Sequence, residues 1–306
     1  MQRYLIRRLG QTVFTLLAVT VIVFGLGRLT GDPADVLMPI EARQEDRIRI
    51  SAHWGLDRPL HIQYFTYLGN VLRGDFGESF QWPGRSALDL VLLRIGNTLE
   101  LGLVALLFAV AVAVPVGVLS AVYKNTRLDY AGKFIALLGQ SLPHFWIGIV
   151  FMWIFAVHLG WLPTSGRGTW KHLIMPAIVI GWFQVAALMR LIRSAMLEAL
   201  DSEYIKLARI KGVSEYSVIW KHALRNATIV PLTYFGIMLA YLVVGSITTE
   251  VVFSWPGVGL LVVDAVRARD FQVVQAVAIV FATVIIFANL VVDILYAYLD
   301  PRIRFD

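Results

Sequence analysis

Residues 203–227 read EYIKLARIKGVSEYSVIWKHALRNA, a charged and patterned stretch set between two long apolar runs. Where this polar segment sits decides the architecture. Tyr204, Leu207, Ala208 and Lys211 recur at helical spacing, while Glu203, Lys206 and Arg209 fall on other faces, so a short amphipathic helix is expected. Glu203 near its start and Lys211 near its end suit the helix dipole. Gly212 fits the left-handed residue just past a helix end. Ser214 then caps a second helix with Glu215 in its first turn and Val213, Tyr216, Trp220, Ala223 and Leu224 as its apolar face. Two helices this short are unstable alone, so each must rest on something. A lipid surface is one support. The small, shallow face of Tyr204, Leu207 and Ala208 also suits a protein groove, and the residues by themselves leave both open.

Composition places the loop. Of 306 residues 58% are hydrophobic and 16% charged, and mean hydropathy is +0.69; soluble domains run about 45–50% apolar and about 25% charged. A membrane protein is expected. The chain has no cysteine, which excludes disulfides, thiolate metal sites and a cysteine nucleophile. The net charge of +6 fits the basic excess of cytoplasmic loops better than nucleic acid, since no aromatic-basic stripe accompanies it.

Six windows free of Asp, Glu, Lys and Arg are long enough to cross a bilayer: Leu9–Gly27, Leu101–Tyr123, Phe134–Gly166, His172–Met189, Asn226–Thr249 and Phe271–Val292. They predict an all-α integral membrane protein with six transmembrane helices near 9–28, 98–122, 134–157, 173–193, 228–251 and 272–297. The first is too long for a secretory signal and lacks a cleavage site, so a retained anchor is expected. Basic residues cluster before the first span (Arg3, Arg7, Arg8), after the second (Lys124, Arg127, Lys133), after the fourth (Arg190, Arg193, Lys206, Arg209, Lys211, Lys221, Arg225) and at the end (Arg302, Arg304). With six spans these regions share one side, which puts both termini and the loop 194–227 in the cytoplasm.

The opposite face carries residues 29–97, where Asp32, Asp35, Glu41, Glu45, Asp46 and other acids balance the arginines. Ile62, Phe65, Leu68 and Leu72 predict one helix there; Ser86 with Asp89 predicts the start of another, and Asn97 with Glu100 the start of span two. An ordered outer cap is expected, a lid or a contact surface for a partner.

No metalloprotease, nucleophile-elbow, P-loop or dinucleotide motif occurs, so no catalytic residue is assigned. The windows hold no Asp, Glu, Lys or Arg away from their ends, which argues against an ion-coupled carrier. Pro115, Pro143, Pro176 and Pro231 predict kinks. Gln140, Ser141, His144, Gln184 and Tyr234 are polar groups within spans, candidates for a translocation path or for helix–helix hydrogen bonds. Trp255, Pro256 and Gly257, in the turn FSWPGVG, are candidates for an outer gate.

Ala208-Arg209-Ile210-Lys211-Gly212 and His222–Asn226 resemble the cytoplasmic coupling loop, the EAA-type motif, of ABC importer permeases of the dipeptide/oligopeptide branch. RYLIRRL near the start, GDPAD at 31–35, GLDRPLHIQYFTYLGNVLRGDFGES at 55–79, NTLELGL at 97–103, SLPHFWIGIV at 141–150, LGWLPTSG at 159–166 and TTEVVFSWPGVGLL at 248–261 resemble the same branch. The motif's Glu-Ala-Ala is Lys206-Leu207-Ala208 here, so its glutamate is missing. The resemblance implies a type I importer permease in a bacterial-type cell membrane, paired with a second, homologous permease as a heterodimer. It implies cytoplasmic ATPase subunits that carry ATP and Mg, an extracytoplasmic binding protein that delivers a peptide, and no cofactor in this chain. It implies that Glu203, Tyr204, Lys206, Leu207, Ala208, Arg209, Lys211 and Gly212 form the ATPase contact, through which closure of the ATPase pair opens the permease outward. Nickel chelates or glutathione are alternative cargoes, and a stand-alone secondary transporter is the rival class.

Overall fold

A computed structural model describes residues 2–29 and 57–299. The GDPAD segment, the acids at 32–46 and Arg302 and Arg304 lie outside the described residues. The elements are α1 (Gln2–Leu29), α2 (Leu60–Leu72), α3 (Ala87–Val122), α4 (Arg127–Ser141) and α5 (His144–Phe151), which continues as a π-helix over Met152–His158. Then come α6 (Lys171–Asp201), α7 (Glu203–Ile210), α8 (Glu215–Ser217) with a π-helical stretch Val218–Ala223, α9 (Leu224–Ala227), α10 (Ile229–Val252), α11 (Val258–Arg267) and α12 (Phe271–Leu299). One isolated antiparallel bridge joins Glu78 and Ser86.

Among the described residues, four helices are long and apolar enough to cross a membrane, within Gly10–Leu29, Ala87–Val122, Lys171–Asp201 and Phe271–Val291; α4 with α5 makes a fifth if the bent pair is one span. α10 covers the segment expected at 228–251. Three boundaries differ from expectation. The helix expected over 134–157 is two helices bent by 106°. Pro143 is the cause: its ring disfavours helical backbone at the preceding residue, and Leu142 is extended at φ −103, ψ 138. The starts expected at Ser86 and Asn97 merge, because α3 runs unbroken from Ala87 with Asn97 and Glu100 inside it. α6 continues to Asp201, so the first eight residues of the loop expected at 194–227 are helix.

The chain divides into two compact units, Met1–Gly96 with Leu260–Phe287 and Asn97–Gly259 with Ala288–Asp306. In the first, α2 meets α1 through tyrosines. The Tyr64 hydroxyl lies 3.0 Å from Thr20 Oγ1, and the Phe24 ring sits 5.5 Å from Tyr64 and 5.6 Å from Tyr67. The face expected to pack does not: Ile62, Phe65 and Leu72 are exposed. Tyr64 packs its ring on Phe24 and still satisfies its hydroxyl on Thr20, which makes it the better contact here. Asp270 is fully buried and caps α12 through the Val273 N–H. Its carboxylate also accepts from the Ser79 hydroxyl and the Gln81 N–H.

In the second unit α3 and α6 form the centre. Leu101, Ala105, Ala109 and Ala113 bury one face of α3 against Ile180, Leu188, Met189, Ile192 and Met196 of α6. Small residues permit the approach: a Cβ at Gly181 would lie 2.6 Å from the Ala105 carbonyl oxygen. α4 lies along α6 on a stripe of Asp129, Gly132, Ala136 and Gly139, all buried. At one end of this stripe the Trp182 indole N–H donates to the Ile135 carbonyl at 3.1 Å. At the other end the Asp129 carboxylate takes both Nε and Nη2 of Arg193, each at 2.9 Å.

Candidate coupling site and outer turn

The chain leaves α6 at Ser202 and enters α7 directly. Glu203 lies in the first turn. At the far end Lys211 is the C-cap and Gly212 takes φ +77. The Gly212 N–H donates to the Arg209 carbonyl at 3.0 Å and the Val213 N–H to the Ala208 carbonyl at 3.2 Å. That pair of bonds is the Schellman ending, which closes a helix with a left-handed glycine. Ser214 holds the N-cap position of α8, although its side chain makes no capping hydrogen bond.

Burial assigns the faces. Ile205 is fully buried in the same core as Met196 and Ala199, and removing such a side chain from water is worth roughly 1.5–3 kcal/mol. Val218 and Ala223 are buried with it, and Val213, Trp220, Leu224 and Ala208 pack against that core. The expected face of the second helix is therefore in place except for Tyr216, which is exposed. α7 turns its other apolar side outward: Tyr204 is 42% exposed, Leu207 51% and Ile210 82%.

Charge braces the loop. Arg209 reaches across the glycine to Glu215, with Nη2 2.6 Å from Oε1 and Nε 3.1 Å from Oε2. The guanidinium holds the Glu215 carboxyl below its ordinary range. Lys206, standing where the motif's acid is missing, bonds Glu203 at 2.9 Å on the exposed surface. Exposed pairs of this kind contribute little.

Of the residues considered for a path, two meet: the Tyr234 hydroxyl donates to buried Gln184 Oε1 at 3.0 Å. The His144 ring lies 5.2 Å from Phe183. Ser141 is exposed and donates to its own helix at the Leu137 carbonyl. Gln140 is half-buried in the last turn of α4.

The turn 253–259 is organised by a residue the sequence reading passed over. Glu250 is fully buried. Its Oε1 accepts from the Thr98 hydroxyl at 2.8 Å and its Oε2 from the Gly259 N–H at 2.7 Å. The Thr98 oxygen in turn accepts the Val258 N–H at 2.9 Å. Trp255, 1% exposed, donates its indole N–H to the Asn97 carbonyl at 3.0 Å, and the Asn97 amide donates to the Pro256 carbonyl at 2.7 Å. Gly257 has no room for a side chain, because a Cβ there would overlap the Glu250 carboxylate. Arg167 pairs with Glu100 at 2.7 Å and stands over the Trp255 ring. Glu250 escaped notice because it falls one residue past a charge-free window; an acid just ahead of FSWPGVG is the signal that marks it.

The family model described as the binding-protein-dependent transport system inner membrane component matches residues 113–305. Its N-terminal companion matches residues 1–84. The chain belongs to this permease family. Among curated members it is 38% identical to the oligopeptide transport system permease protein AppB of Bacillus subtilis, over the whole of both chains. It is 40% identical to the glutathione transport system permease protein GsiC of Salmonella typhimurium, again over the whole of both. With the di/tripeptide transport system permease protein DppB of Pseudomonas aeruginosa it shares 39% identity over 99% of each. Among solved structures, the fold resembles the inward-facing MetNI methionine ABC transporter, with a TM-score of 0.60 at 19% identity over 69% of this chain and 96% of that one. The permease is thus a multi-pass integral membrane protein of the transport family expected from its motifs.

Proposed function

We propose that this permease forms half of the translocation pathway of an ATP-driven importer of di- and oligopeptides in the cell membrane. In this reading it crosses the bilayer six times with both termini cytoplasmic. It pairs with a second, homologous permease, receives peptide from an extracytoplasmic binding protein and couples to cytoplasmic ATPase subunits. The observation that carries the reading is α7: its Ile205 side is anchored in the core, while Tyr204, Leu207 and Ile210 are exposed on its other side. An apolar side held rigidly at the surface is a surface made to be covered. The names of the full-length relatives, peptide and glutathione permeases among them, support a peptide-like cargo.

In the proposed cycle, closure of the ATPase pair displaces α7 and biases a two-state membrane unit toward its outward-open form. Tyr234, anchored by its hydrogen bond to buried Gln184, is proposed to border the path, and the turn held by Glu250 is proposed as the outer gate. The test is co-purification in mild detergent, followed by uptake in vesicles supplied with the binding protein, tri-alanine and glutathione. Wild-type chain should recover a second permease and ATPase, and Leu207→Glu, on the outward side of α7, should release the ATPase or uncouple hydrolysis from uptake. A single chain that transports on an ion gradient without ATPase contradicts the proposal.

A further inference from the structure

The stripe by which α4 lies on α6 has an apolar part and a polar end, and the two do different things. Gly132, Ala136 and Gly139 bring the helices close; a Cβ at Gly132 would lie 3.3 Å from Met189 Cε of α6, and a Cβ at Gly139 would overlap the Trp182 ring. Such a seam gives proximity but little directional registry, since sliding exchanges one van der Waals contact for another. Asp129 supplies the registry. Its side chain is 0% exposed, and its Oδ1 accepts from Arg193 Nε while its Oδ2 accepts from Arg193 Nη2, from Lys133 Nζ at 2.8 Å and from the Asn125 N–H at 3.0 Å. A bidentate guanidinium–carboxylate fork fixes orientation as well as distance. A buried ionic pair adds little net stability against an apolar one, so specificity of arrangement is its better-attested use.

The position of the fork matters. Arg193 lies eight residues before the end of α6 at Asp201, about 12 Å of helix at 1.5 Å per residue. Ser202 then leads directly into α7, whose Ile205 is buried in the core that α6 builds. On the other partner, α4 ends at the extended Leu142, and beyond Pro143 the chain turns by 106° into α5, where His144 sits. The fork thus joins the helix that carries the coupling loop to the helix that ends at the bend.

We propose that Asp129, clamped by Arg193, is a positioning residue that makes α4 follow α6 when α7 is displaced, so that the coupling loop's movement reaches the bend at Leu142–Pro143. This rests on the reading of α7 as the ATPase contact. Asp129 touches no cargo; it acts through the register of two helices.

The test uses the assembled transporter in proteoliposomes, with its binding protein and an equimolar mixture of tri-alanine and glutathione as probe. Asp129→Asn should retain bound ATPase and basal hydrolysis within about twofold, while stimulation by the loaded binding protein and uptake per ATP fall about fivefold or more, the scale of an ordinary allosteric coupling. Asp129→Glu should restore part of that stimulation. Arg193→Lys, which keeps the charge but loses the fork, should fall between. A merely structural role would lower assembly and both hydrolysis rates together. Unchanged stimulation in Asp129→Asn overturns the proposal, and so does failure of both Asp129→Asn and Arg193→Lys to assemble. Leu207→Glu, on the exposed side of α7, measured alongside separates the two readings. If it leaves ATPase binding and uptake intact, the docking reading falls and takes the clamp with it; if it uncouples while Asp129→Asn does not, only the clamp falls.

Discussion

Gly212 is where the segment from α7 to α8 is least forgiving. Nothing lies within 4 Å of a Cβ built there, so the obstacle to a side chain is its φ of +77 and not space. Gly212→Ala should therefore cost about 1–2 kcal/mol, the ordinary penalty for an L-residue in left-handed backbone. Gly212→Pro should cost more, because it also removes the N–H donated to Arg209 and forces φ negative. Both variants should reach the membrane at wild-type yield, with uptake reduced in Gly212→Ala and lost in Gly212→Pro, as fluorescence-detected size exclusion beside an uptake assay would show. This residue was legible in the sequence because a helix stop is a local signal. Asp129 was not: its partner Arg193 is 64 positions away, and no spacing rule connects them. Glu250 was hidden in a similar way, since its Thr98 partner is 152 positions away.

At the scale of elements, α7 tests the assignment of faces. Its eight residues carry Tyr204, Ile205, Leu207, Ala208 and Ile210, apolar side chains around most of the circumference. Periodicity alone therefore singled out Tyr204, Leu207 and Ala208, whereas burial selects Ile205. Ile205→Ala should destabilise the loop's seat by about 2–5 kcal/mol, as for other buried large-to-small changes, and should speed proteolysis near Gly212. Leu207→Glu should leave proteolysis unchanged and weaken recovery of ATPase; equal effects of both variants in limited proteolysis would contradict this division.

The bridge from α7 to α8 adds a pH dependence. Because Arg209 lowers the Glu215 pKa from 4.5, the pair's contribution is fully present above that value and disappears as pH falls through the lowered one. Hydrogen exchange in α7 should differ between wild type and Glu215→Gln at pH 6–8, and the difference should close on acidification below 4.5. The bend at Leu142–Pro143 shows the limit of element reading from another side. A proline in a long apolar window signals a kink, but only the geometry distinguishes a kink from a 106° turn.

For the whole molecule, the absence of cysteine makes topology directly measurable. Single cysteines at Glu203 and Arg167, both at exposed side chains, should react with an impermeant maleimide from opposite sides of sealed vesicles, Glu203→Cys from the cytoplasmic side. Labelling of both from one side would overturn the six-crossing arrangement. At this scale an all-helical membrane protein was legible in the sequence, because long apolar helices are read from composition without any tertiary contact. What composition withheld was how the helices lean on one another, which depends on glycines and alanines that carry no pattern of their own.

The overlap between Gly257 and the Glu250 carboxylate also has a genetic consequence. Every missense change at a glycine codon adds at least a Cβ, and here that atom lands on a buried carboxyl group held by a hydroxyl and a backbone N–H. Selection of cells for resistance to a toxic peptide analogue should thus recover many different replacements at Gly257. At Gly69, where nothing lies within 4 Å of a Cβ and the backbone is ordinary helix, the same screen should return few.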